Sequence, residues 1–85
     1  MRENVSALKY VMTVHAEEEM ESDELSIFDV EQVILTGRII ERQKELDTGE
    51  WKYLVRGKSA AGDDAVVVCR LSLTGKLIII TVYVE

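Results

Sequence analysis

The chain predicts an α+β fold, with N-terminal helices packed on one face of a four-stranded antiparallel β-meander. Three observations predict it. Helical periodicity is confined to residues 1–37, period-two alternation to residues 38–85, and the strand-like runs are joined by short glycine-containing connections. The 85 residues make one domain, with a helical part over 1–37 and a sheet part over 38–85.

Val5, Leu8 and Val11 recur at spacings of three, which predicts a short amphipathic helix over 3–11. Residues 14–22 (VHAEEEMES) are rich in helix formers, with Ala16 and Met20 on one side and Thr13 as cap. A further helix spans 27–36. Ser26 stands as its N-cap, Asp29 completes a capping box, and Ile27, Val30, Val33 and Ile34 form the apolar stripe. Gly37 follows at the position where a helix commonly ends in positive φ. Strands are expected at 38–45, 51–58, 64–71 and 77–84, joined by LDTGE, SAAGD and SLTGK. Such short connections impose antiparallel neighbours. The last two strands are apolar on both faces, so they belong inside the sheet or under a cover.

The net charge of −6 is unevenly placed. Residues 1–37 hold nine acids against two bases, while residues 38–85 hold seven against eight. Overall this opposes non-specific nucleic-acid binding but leaves room for a local site. No run of about 18 apolar residues suggests a membrane span, and the N-terminus lacks the apolar centre of a signal peptide. The single cysteine, Cys69, excludes an internal disulfide and lies in an apolar run, as a small buried residue does. These features favour the cytoplasm, and no cofactor is implied.

Alternation along a strand sends even and odd positions to opposite faces. Arg38, Arg42, Lys44, Lys52, Arg56, Lys58 and Arg70 are all even, seven of the chain's ten bases. In the last strand Ile78, Ile80, Val82 and Val84 are assigned to the helix-covered face, which leaves Ile79, Thr81 and Tyr83 with the basic one. Arginine forks match phosphate oxygens, so this face is a candidate RNA surface. Equally, alternating Lys and Arg solvate an exposed face and protect sheet edges. His15 is the only side chain whose ordinary pKa lies near neutrality, which makes it a candidate acid or base, or a packing residue. A metal site joining His15 to Glu18 or Glu19 is geometrically feasible but weakly signalled.

The chain also resembles the domain-of-unknown-function 4258 family over nearly its full length. The resemblance is carried by His15-Ala16 with Met20, Leu25-Ser26, Asp29-Val30-Glu31, Thr36-Gly37 with Ile39-Ile40-Glu41, the Leu54–Gly57 strand, Val66–Val68, and Ile79-Ile80-Thr81-Val82-Tyr83. That family is similar to small RelE-like (barnase-like) toxins, with RNA handled on the sheet face away from the helices and an antitoxin-like protein as partner. The resemblance points to a toxin-like RNA-processing or interaction domain, and the basic sheet face with Tyr83 and His15 motivates reading it as a metal-independent ribonuclease. On that reading His15, Arg56, Arg70 and Tyr83 are catalytic, and Arg38, Arg42, Lys52 and Thr81 bind nucleic acid. The family pattern has an arginine just before the methionine, where this chain has Glu19, which would repel phosphate. The alternative is a non-catalytic interaction module or inactive toxin homologue. Its apolar strip (Ile40, Leu54, Val66, Val68, Ile79) would meet a partner protein or, in a homodimer, a second copy.

Overall fold

A computed structural model describes residues 10–72 and 74–85 of the chain. The elements run β1 (Tyr10–Met12), α1 (Val14–Ser22), α2 (Ile27–Thr36), β2 (Arg38–Lys44), β3 (Trp51–Lys58), β4 (Asp64–Leu71) and β5 (Leu77–Val84). The fold is α+β, but the sheet has five strands in the order β1-β5-β4-β3-β2. β1 runs parallel to β5 and the other neighbours are antiparallel. The sheet is therefore mixed, and the expected four-stranded antiparallel meander forms only its β2–β5 part. The expected helix over 3–11 lies mostly outside the described residues, and its Tyr10–Val11 end is strand. There, pairing Val11 with Ile78 overrides a weak period of three.

Both α1 and α2 begin as their caps predict. Thr13 Oγ1 accepts from the Ala16 N–H at 3.1 Å. Ser26 Oγ accepts from the Asp29 N–H at 3.3 Å while Asp29 Oδ2 accepts from the Ser26 N–H at 2.8 Å. α1 ends in a Schellman motif. Leu25 N–H donates to the Met20 carbonyl at 2.7 Å and Glu24 N–H to the Glu21 carbonyl at 3.3 Å. Glu24 holds the left-handed position, φ 56°.

Gly37 does not use positive φ; it is extended at φ −86°. Glycine is needed there for closeness instead. A Cβ on Gly37 would collide with the Val33 carbonyl and fall 2.5 Å from that of Arg56. Gly57 has the same character, since a Cβ there would lie 2.5 Å from the Val33 carbonyl and 2.8 Å from Gly37 Cα. The end of α2 thus presses directly onto the β2–β3 backbone.

Two hairpins share one turn device. Ser59 and Ser72 accept a backbone bond from Gly62 and Gly75 respectively, and their hydroxyls accept from the Asp63 and Lys76 N–H groups at 3.1 and 2.9 Å. Gly62 and Gly75 have φ of 90° and 85°, the left-handed position that closes a three-residue loop.

α1 packs on β5 and α2 on β3 and β4. Between helices and sheet lie Ala16, Val30, Val33, Ile34, Val55, Ala65, Val67, Cys69, Leu77, Ile79 and Val82. Burial pushes the Cys69 thiol up to about 12, so it packs as a small apolar group. Tyr10 Oη donates to Glu31 Oε2 at 2.6 Å, tying β1 to α2. Desolvation, and then this bond, raise the Tyr10 pKa to about 12.

Candidate nucleic-acid interface

Two bulges decide which side chains share the open face. In β5 the register steps between Cys69↔Ile79 and Val68↔Thr81, leaving Ile80 as the extra residue. Leu77 and Ile79 therefore join Val82 on the helix side, fully buried. This corrects the sequence-derived parity for Ile78, Ile79 and Ile80: Ile78 faces out and Ile79 faces the core. In β2 the register steps from Ile39↔Val55 to Glu41↔Leu54, leaving Ile40 extra. Beyond that point Arg42 pairs with Tyr53 and Lys44 with Trp51. Those partners sit in line with Cys69 and Leu71 on the helix side. Arg42 and Lys44 thus leave the open face, and Glu41 takes a place on it.

The open face is built in rows across the strands. One row is Arg38, Arg56, Val66 and Tyr83; the next is Glu41, Leu54, Val68 and Thr81; the third is Gln43, Lys52, Arg70, Ile78 and Val11. Val66 is only 2% exposed though it lies outside the helix-side core, and its register partners Arg56 and Tyr83 flank it. Tyr83 is exposed.

The cations here are largely matched by acids. Arg56 Nε lies 2.6 Å from Glu85 Oε1, Lys58 Nζ 2.7 Å from Asp64 Oδ1, and an Arg70 Nη 3.8 Å from Glu50 Oε1. Lys58, above all, with Coulombic help from Arg56, holds Asp64 below the usual carboxylate range. Among the described residues Arg38 makes no ion pair, and Arg70 Nε is buried without a hydrogen-bond partner. The sequence-derived picture of a nearly acid-free basic face is therefore corrected to cations interleaved with acids over an apolar strip.

The residues singled out from sequence divide into three groups. Arg38, Arg56 and Tyr83 share a row. Arg70 and Lys52 share another, about 13 Å away along the strand, with Thr81 between. His15 stands apart: it is exposed at the start of α1 in the helical layer, its Nε2 3.2 Å from Glu19 Oε1. The four candidates for catalysis do not form one pocket. Glu19, which replaces the expected arginine, is occupied with His15. Among the described residues no three His, Cys, Asp or Glu side chains are grouped to hold a metal ion, and no helix is long and apolar enough to cross a membrane. Reasoning from alternation overlooked Glu41, Glu50 and Glu85 as neighbours of the cations. Only the β2 bulge and the end-of-strand geometry bring them there.

The profile of the domain of unknown function (DUF4258) matches residues 12–84. The chain belongs to that family. The matched stretch takes in α1, α2, the bulged β2 and every residue of the open-face rows except Val11. No curated protein matches the chain, and no solved structure matches it.

Proposed function

We propose that this family member is a toxin-type, RNA-directed domain, a metal-independent ribonuclease that works on the open face of its sheet. The observation that carries the reading is the row Arg38–Arg56–Val66–Tyr83. Like charges set directly across a ladder destabilise it, yet Arg38 and Arg56 are direct partners. A phosphodiester between them removes that cost, and two guanidinium forks clamp its non-bridging oxygens. Glu85 holds Arg56 in the free protein and would yield its place to phosphate.

In this reaction the ribose 2′ oxygen attacks the adjacent phosphorus. The bond from phosphorus to the 5′ oxygen breaks, leaving a 2′,3′-cyclic phosphate. Arg38 and Arg56 stabilise the added negative charge at phosphorus. The Tyr83 hydroxyl gives its proton to the departing 5′ oxygen, water takes the 2′ proton, and solvent restores the tyrosine. Arg70 and Lys52 lie about 13 Å further along the strand, and with Thr81 between they serve the flanking stretch of the RNA. His15 has no part in the step. The setting is a cytoplasmic toxin–antitoxin pair.

The test is incubation of the purified protein with single-stranded RNA. Cleavage should fall by at least about a hundredfold in Tyr83→Phe, the scale of a lost general acid, and further in the Arg38→Ala/Arg56→Ala double variant. Undiminished cleavage in both would remove these roles, and no cleavage by the parent would reject the nuclease.

Two observations favour a second reading, a non-catalytic interaction module. Leu54, Val68, Ile78 and Val11 run diagonally across the same face, and Glu19 stands where an arginine is expected. A protein that copurifies, or a second copy seen by light scattering, supports this module; a monomer that cleaves RNA excludes it.

A further inference from the structure

The hairpin of β2 and β3 carries a second arrangement, on the other side of the sheet, that the open face does not use. Residues 38–58 contain six of the ten bases and four acids, so this segment is cationic in an acidic chain. The Ile40 bulge turns Arg42 and Lys44 toward Trp51. The Arg42 guanidinium carbon lies 5.6 Å from the indole centroid, and Lys44 Nζ lies 5.9 Å from it. Trp51 is 39% exposed although its row leads straight into the core through Leu71 and Leu77. The helices pack on β3, β4 and β5 and leave this end of the face open. At the bulge, Ile39, Ile40, Glu41 and Arg42 line a surface hollow of about 420 Å³.

We propose that Trp51, Arg42 and Lys44 form a base-stacking site for single-stranded nucleic acid. Both cations lie over the half-exposed indole; a base that displaces one of them gains the π-face, and the displaced charge serves the adjoining phosphates. Recognition of this kind is tolerant of sequence. Without the bulge, Arg42 and Lys44 would face away from the ring, so the extra residue at Ile40 assembles the site. The site stands whether or not the open face cleaves RNA.

Trp51 is the only tryptophan, so its fluorescence reports this site alone. The full chain is titrated at low salt with a short oligouridylate. The emission should be quenched saturably. In the Arg42→Ala/Lys44→Ala variant, the log–log salt slope should fall by about 1.4, two single-strand phosphate contacts. Trp51→Ala, followed by anisotropy of a labelled oligouridylate, should weaken binding about 5- to 150-fold, the range of one base–aromatic stack. Arg42→Gln, which keeps the side-chain stem, serves if the double variant fails to fold. Arg56→Ala should leave the quenching in place, which separates this site from the open face. The proposal is overturned by an absence of saturable quenching. It is equally overturned if quenching survives unchanged without the two cations, or is lost with Arg56 alone.

Discussion

Glu24 is in the left-handed conformation, φ 56°, which costs a residue with a Cβ about 1 kcal/mol relative to glycine. It closes the Schellman motif that links Leu25 to Met20. Glu24→Gly is therefore expected to raise stability by about 0.5–1 kcal/mol in urea denaturation. Gly57→Ala should do the reverse, because its Cβ would meet the Val33 carbonyl at 2.5 Å. Backbone cannot yield there as a flexible side chain would, and a loss of about 1–3 kcal/mol or more is expected. Tyr10 gives a pH prediction. Its folded pKa is raised from 10.0 to about 12. Its contribution is therefore complete below pH 10 and is lost as pH rises through about 12. Phenolate absorbance should show one of the three tyrosines ionising near 12, and Tyr10→Phe should remove that step.

At the scale of elements, the start of α2 joins a helix to a hairpin. Asp29 accepts from Ser26 N–H with one oxygen and from Ala60 N–H, at 2.9 Å, with the other. The Ser26 backbone bond is the main reason its carboxyl lies below the usual range. Its contribution is present above the ordinary carboxylate pKa and disappears as pH falls through its depressed folded value. Ser26→Ala should cost about 1 kcal/mol, and Asp29→Asn should flatten the acid limb of a stability–pH profile. These caps were legible in the sequence because they are local: Ser26 and Asp29 are three residues apart. β1 was not, because three residues carry little periodicity and its parallel partner lies 67 residues away, Val11 against Ile78. The β5 bulge was hidden for another reason. Leu77-Ile78-Ile79-Ile80 is apolar throughout, so an extra residue leaves no break in its alternation. Ile39-Ile40 conceals the β2 bulge in the same way.

For the whole molecule, the β2 bulge decides how charge is distributed. Strict alternation would gather seven bases on one face. The real sheet divides them, with Arg38, Lys52, Arg56, Lys58 and Arg70 on the open side and Arg42 and Lys44 beside Trp51. The general layout, helices on one face and polar rows on the other, followed from composition and period. The grouping within the rows did not, since it depends on register. An acidic helical layer opposite a mixed sheet face also orients an approaching polyanion, because the helices repel it. Association with RNA should therefore slow as salt rises, with the effect centred on the sheet. The most direct measurement of the central claim is amide chemical-shift mapping on the labelled protein titrated with single-stranded RNA. Perturbations should centre on the row of Arg38, Arg56, Val66 and Tyr83 and spare the α1 residues around His15. Shifts confined to the helices, or no shifts along that row, would contradict it.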